Sequence, residues 1–242
     1  MLGVENMKSV ITGYIVYTLK TKDGKVLLKG AKPFNSFVKN FMVMLETIFK
    51  GEDTKVPPPE PTQAVDIDGN SFTFPIYRLV DGTSYPFGWR IDAEAGDTLF
   101  LRNEPTEWGI VVGSGDSPTT INFYKLESIY PHGKGEGYMN YLSTKLTEPE
   151  YDGTYVKFTI NRLIVNEADV SQVVREIGLI AREYNSWRRW LVARDVLDSP
   201  VTMPPKSLLD VTIVIAGVLA PYNILYVTDH AVGFSTSQVS TF

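Results

Sequence analysis

Residue types that carry chemistry are sparse in this chain, and their spacing gives them little to do together. The two histidines, His132 and His230, lie far apart in polar surroundings, and two cannot supply a three-histidine metal site. No serine sits in a nucleophile elbow that would pair it with either of them. Glu104, Glu107, Glu136, Glu148 and Glu150 are the carboxylates that would serve polysaccharide hydrolysis, a reaction needing two acids about 5 to 10 Å apart. Spacing along the chain does not place them so. Gly113-Ser114-Gly115-Asp116-Ser117 opens like a phosphate loop but lacks the Gly-Lys-Ser/Thr ending and a following helix, so a turn is expected there. Asp66-Ile67-Asp68-Gly69-Asn70 opens like a calcium loop, yet its glycine comes too early and Tyr77 stands where the bidentate acid belongs. A hairpin turn accounts for it better. The absence of cysteine removes thiolate nucleophiles, disulfides and cysteine-bearing metal sites together. The expectation is a protein that is not an enzyme, with no catalytic residues, no metal and no cofactor.

Charge excludes another class of function. The 242 residues carry a formal net charge of −5, and nucleic-acid affinity depends on clustered lysine and arginine, so direct nucleic-acid binding is not expected. The start, Met1 to Lys8, lacks the charged lead and apolar core of a signal peptide, and no apolar run approaches the roughly 20 residues that span a bilayer. At 43% hydrophobic residues the chain has an ordinary globular composition.

With no chemistry to position, the elements are read for architecture. Val173 to Ile215 is the stretch around which the rest is expected to be built. Apolar residues fall at alternate positions in Ile177, Leu179 and Ala181 and again in Leu191 and Ala193, on either side of a knuckle at 183–189, which is the pattern of a half-buried hairpin. Leu209, Val211, Ile213 and Ile215 form the run expected to be its partner strand. A helical stripe through Val170, Val173, Val174, Ile177 and Ala181 competes with this, but Gly178 inside a helix costs about 1 kcal/mol, so a strand from Val173 is preferred. Ser9 to Leu19, a turn at Lys22-Asp23-Gly24-Lys25 and Val26-Leu27-Leu28 predict a second hairpin. Asn35-Ser36 offers a cap, and Phe37, Phe41, Leu45 and Ile48 recur at helical steps before Gly51. That helix is expected to cover one face or an open end of a sheet. Further strands are expected at 64–67, 71–74, 76–80, 108–113, 151–165 and 222–227, with turn signals about every ten residues.

The fold class expected is therefore mainly β, an antiparallel β-sandwich of jelly-roll-like form with one amphipathic helix near the N-terminus. It is expected as a single domain, with hairpin and helix in 1–51, a proline-rich connector in 52–62, the sandwich in 63–230 and a tail in 231–242. Tyr85-Pro86-Phe87-Gly88-Trp89 reads as an aromatic loop, while Arg182, Arg188, Arg189 and Arg194 read as solvated charges along the edge of the central hairpin.

Two segments carry a resemblance. Trp108 to Gly115, followed by Ile121-Asn122-Phe123-Tyr124-Lys125-Leu126, resembles a "GIVVGTG … DDYxL" pattern; Arg175 to Ala181, followed by Leu191 to Thr202, resembles an "EIGLYA … LIARDVLSSPVTV" pattern. Both patterns occur in uncharacterised virion structural proteins of tailed phages and related prokaryotic or archaeal viruses. The Asn35 to Phe41 helix start is similar too, and the likeness covers about half the chain. It departs at Val170-Ser171-Gln172, where those proteins are richer in serine, threonine and glycine. The resemblance implies a virion component, a repeated subunit of capsid, turret or tail whose partners are copies of itself and other virion proteins, with no membrane. Tyr85, Phe87, Trp89, Trp187, Arg188, Arg189, Trp190 and Phe242 are the interface candidates, since tryptophan, tyrosine and arginine anchor interfaces. The alternative is a receptor- or carbohydrate-binding module of a tail or spike, with a host-surface glycan as partner.

Overall fold

Alternation of apolar and polar residues becomes strand almost wherever it occurs in the computed structural model. The model describes residues 11–34, 36–50, 63–72, 89–90, 108–151, 155–183, 188–218, 226–228 and 231–233. In chain order the elements are β1 (Ile11–Lys20), β2 (Val26–Pro33), α1 (Lys39–Lys50), β3 (Ala64–Val65), β4 (Ser71–Phe72), β5 (Trp89–Arg90) and β6 (Gly109–Gly113). They continue with β7 (Asn140–Leu146), β8 (Glu150–Tyr151), β9 (Tyr155–Val165), β10 (Gln172–Glu183), β11 (Arg189–Met203), β12 (Leu208–Val218), β13 (Tyr226–Thr228) and β14 (Ala231–Gly233). The protein is mainly β, its strands pair antiparallel, and among the described residues it has one short helix, near the N-terminus.

Two sheets dominate. A six-stranded sheet runs β2-β1-β12-β9-β7, with β8 beside β7 on the same edge of β9; a four-stranded sheet holds β11-β10, with β5 and β6 both paired to β10. Neither closes into a barrel through the described strands. Ile15, Ile160, Ile164, Val211 and Ile213 of the larger sheet and Ile110, Val112, Ile177 and Leu191 of the smaller belong to one buried cluster. Polar side chains also cross between the sheets. Arg162 of β9 donates to the carbonyls of Trp108 (2.5 Å) and Ile110 (2.9 Å), and the Tyr141 hydroxyl of β7 donates to the carbonyl of Tyr130 (2.8 Å).

The two expected hairpins form as β1–β2 and β10–β11. Gly24 holds φ at 88°, a left-handed conformation that glycine adopts without a Cβ penalty, and so closes the first turn. The strand expected from Val173 is present and begins at Gln172. The partner expected for the central hairpin is corrected: β12 lies in the other sheet, paired on one side with β1 and on the other with β9. Alternation marks which face of a strand is buried; it does not name the neighbour.

The helix also starts later than its expected cap, at Lys39. The Ser36 hydroxyl donates to Asp195 instead (2.9 Å), and residues 36–38 run along β11, with a bridge between Phe37 and Ala193 and Val38 N–H donating to the Val192 carbonyl (3.1 Å). This segment covers the outer edge of β11 and leaves its backbone less open to foreign strands. The Phe37 and Phe41 rings then stack at 4.4 Å.

Trp89, expected in a loop, pairs with Glu183 as part of β5. The expected last strand is represented by β13, and the tail expected from residue 231 begins with a strand, β14, hydrogen-bonded to it. The expected strand at 76–80, the connector at 52–62, Gly51 and the tail beyond Gly233 lie outside the described residues.

Candidate functional site

Among the described residues, the densest meeting of charges is built around Arg194, which was expected as a solvated edge charge. Glu176 on β10 and Arg194 on β11 are both fully buried. The hairpin register sets Glu176 opposite Val196 and Gly178 opposite Arg194, so the two charges are diagonal neighbours on one face. Arg194 Nε donates to Glu176 Oε2 at 2.6 Å.

Over this face folds the loop 114–131, which follows the glycine turn once compared with a phosphate loop. The turn does receive an anion, but an internal one. Glu176 Oε1 accepts the N–H of Gly115 (3.1 Å) and of Ser128 (2.8 Å), while Oε2 accepts the N–H of Glu127 (3.1 Å) besides Arg194. Four donors on two oxygens occupy the four lone-pair positions of a carboxylate. Arg194 is similarly spent. Its Nη1 reaches the Ser117 carbonyl (2.9 Å) and Thr119 Oγ1 (3.3 Å), its Nη2 reaches Glu127 Oε2 (3.4 Å), and the guanidinium lies 4.2 Å from the Phe123 ring centroid. Glu127 is exposed, and hydrogen bonds from the Ser117 hydroxyl and N–H, with Arg194 beyond them, hold its carboxyl below the usual range.

Gly178 belongs to the same arrangement. A Cβ there would stand 2.2 Å from Leu126 Cδ1, so the missing side chain is what lets the loop lie flat on the strand. Chemically, the cluster is a staple: both oxygens of Glu176 are taken up by Arg194 and by backbone N–H groups of the loop.

Arg162 is the second buried cation. It donates to three carbonyls, those of Leu142 (2.7 Å), Trp108 and Ile110, lies 4.9 Å from the Tyr141 ring centroid, and is pushed by burial down to about 10, the tyrosine opposing. It therefore remains charged at neutral pH. Asp195, also buried, has its carboxyl raised by that burial, with Ser36 and Lys32 working against the rise.

The expected solvated arginines are thus corrected. Arg194 is 0% exposed and Arg182 is 7% exposed, the latter with its guanidinium 4.8 Å from the Trp108 ring centroid. Of the interface candidates, Trp190 is 1% exposed and packs 5.6 Å from Phe72, so within the chain it is core. Arg188 is half-buried over the Phe72 ring (4.7 Å), and Arg189 is half-buried at the start of β11. Trp89 is placed by its backbone in β5, while Tyr85, Phe87, Trp187 and Phe242 lie outside the described residues.

Of the carboxylates considered for hydrolysis, Glu136, Glu148 and Glu150 stand exposed at the surface. Glu104 and Glu107 lie outside the described residues, Glu150 pairs with Lys157 (3.1 Å), and His132 accepts the Tyr141 N–H at Nδ1 (3.2 Å). His230 lies outside them too. A cavity of about 440 Å³ is lined by Lys22, Val165, Glu167, Lys206 and Leu208. Two of its charges are already matched, with Lys206 on the Glu167 carbonyl (2.6 Å) and on Asp169 (2.9 Å), and Lys134 on Glu167 (3.3 Å). Among the described residues no three metal-ligating side chains meet, and no helix is long and apolar enough to cross a membrane.

What remains open is apolar surface on the larger sheet. Tyr14 (54%), Val16 (43%), Val26 (45%), Leu27 (43%) and Leu28 (41%) on β1 and β2 are exposed, as are Leu146 (48%) on β7 and Tyr151 (63%) on β8. No family model, curated protein or solved structure matches the chain.

Proposed function

We propose that this protein is a non-enzymatic structural subunit of a virion, used in many copies and working through contacts between them. The observation that carries the proposal is the apolar surface of the β1–β2 hairpin, where Val26, Leu27 and Leu28 lie on the outermost strand of the larger sheet. An edge strand with open backbone groups and exposed apolar side chains invites pairing with another chain, and a protein that stays alone normally blunts such an edge. The sequence resemblance to virion structural proteins supports the same role. So does the way the buried charges are spent on holding loops rather than on a reacting group.

The finer architecture belongs to this proposal as well. Two sheets that share a core and are bridged by Arg162 and Tyr141 favour a sandwich. Its jelly-roll-like form is favoured by the first and last long strands, β1 and β12, lying side by side while the β10–β11 hairpin fills the opposite sheet. Sedimentation velocity on the full chain is expected to show larger species growing with concentration. A monomer at every concentration overturns the structural-subunit role.

A further inference from the structure

Among the described residues Arg162 and Arg194 are both 0% exposed, yet their surroundings differ in one respect. Arg194 has a carboxylate at Nε and a partner for each remaining nitrogen, Ser117 and Thr119 at Nη1 and Glu127 at Nη2. Arg162 has no acid among its partners. Its Nε and Nη1 are spent on the carbonyls of Leu142, Trp108 and Ile110, and its Nη2, also buried, has no hydrogen-bond partner. A buried cation is costly unless its charge is matched and its donors are used, and here neither condition is met by the chain itself.

A second orphaned atom lies beside it. Thr144 on β7 stands directly opposite Arg162 on β9, and residues opposite one another in an antiparallel ladder share a face with their Cβ atoms about 5 Å apart. Thr144 is 3% exposed, and its Oγ1 is likewise buried without a hydrogen-bond partner. The ladder shifts register between Tyr141 and Thr144, and inside that bulge the Leu142 carbonyl accepts Arg162 Nε. Nε–H and one Nη2–H of a guanidinium point the same way, so Nη2 is also directed toward β7, where Thr144 stands. The surroundings otherwise screen the charge from solvent. Val211 of β12 is buried on the other side of Arg162, and the Tyr141 ring lies over the guanidinium.

We infer that Arg162 Nη2 and Thr144 Oγ1 bind a monatomic anion of the size of chloride between the two sheets. Nη2 can only donate and the hydroxyl is able to donate, so both suit an acceptor that brings negative charge. The ion does for Arg162 what Glu176 does for Arg194. A water molecule satisfies the same two atoms but leaves the buried charge unmatched, which makes the ion the better complement. Because Arg162 joins β9 to the Trp108 and Ile110 carbonyls, the ion strengthens the junction of the sheets, and by mass action the folded protein gains stability as its concentration rises. This site does not depend on the subunit role.

Thermal unfolding of the full chain in sodium chloride and in sodium gluconate at equal ionic strength tests the inference. The wild type is expected to melt about 2 °C or more higher in chloride, by a margin that grows with chloride concentration. Thr144→Val, which exchanges the hydroxyl for a methyl, is expected to lose most of that margin, and Thr144→Ser to keep it. Diffraction from wild-type crystals grown in sodium bromide needs no variant, and is expected to place a bromine anomalous peak within hydrogen-bonding distance of both atoms. Equal melting in the two salts, or a Thr144→Val protein as chloride-dependent as the wild type, overturns the site. A water with no bromine signal overturns it as well. A bromine peak without chloride dependence in solution means an adventitious ion only, and has the same consequence.

Discussion

The two sheets make opposite use of the same residue types. In the smaller sheet, β10 and β11 are covered on both faces through the middle of the hairpin, where Glu176 and Arg194 face inward and hold the loop 114–131 in place. In the larger sheet one face is buried and the other is open along β1, and Lys29 stands exposed on β2, the outermost described strand. A charge in the first region contributes through desolvated hydrogen bonds with fixed partners; in the second it remains solvated, adds little to folding and is free to choose a neighbour. The comparison teaches that one sheet is sealed by its own chain while the other ends at surfaces ready for another.

Removing one member of the buried pair breaks the contrast most severely. Arg194→Ala leaves the Glu176 carboxylate buried with its cation gone and is expected to cost about 3–5 kcal/mol in urea unfolding. The double change E176Q/R194M removes both charges and is expected to cost less than the single one. Lys29→Glu on the open edge should leave unfolding unchanged within about 0.5 kcal/mol.

A smaller effect sharpens the account of the sealed face. Gly178→Ala drives a methyl into Leu126 and is expected to cost about 1–3 kcal/mol. Leu126→Ala empties that contact at about 2–5 kcal/mol. Together they should cost less than the sum of the two, because the new methyl occupies space that Leu126 vacates. Additivity within error would show that the loop does not rest on this strand.

The smallest effects concern acid. Glu127 has a lowered carboxyl, so its contribution to stability is present above the ordinary glutamate value of 4.5 and is lost as pH falls through its folded value. Ser117→Ala, which removes the hydroxyl that is the largest single cause of that lowering, should flatten the acid limb of the stability curve. Asp195 has the opposite sign. Its raised carboxyl binds a proton more tightly folded than unfolded, so burial costs stability at neutral pH and the cost fades as pH falls through the folded value. Asp195→Asn keeps an acceptor for Ser36 and is expected to stabilise the protein at pH 7, with the gain disappearing at low pH.

The first hairpin was legible in the sequence because burial on one face of β1 imposes a period of two, and the turn at Gly24 follows from glycine's freedom at positive φ. The second, buried on both faces, was legible from the break at 183–189 between two apolar runs and from Gly178, which disfavours a helix. The neighbour of β12 was not legible, since the same alternation suits either sheet. Arginines flanking a hairpin look like surface charges until a distant loop folds over them, and that loop brings Phe123, Glu127 and Ser128 from some 50 to 70 residues away, as the 67-residue separation of Glu127 and Arg194 illustrates. Two signals for the staple were present nonetheless. Gly178 inside a strand pattern marks a close approach as well as arguing against helix, and Glu176 and Arg194 become diagonal partners once the hairpin register is drawn. That β2 ends the larger sheet needed the strand order, because β1 pairs on its other side with β12, far along the chain.

Hydrogen exchange on the full chain, compared between dilute and concentrated solution, tests the contrast between sealed and open sheets most directly. Added protection is expected at residues 26–30 of β2, with β10 and β11 equally protected in both conditions. Concentration-dependent protection in the β10–β11 hairpin, with none along β2, would contradict the account.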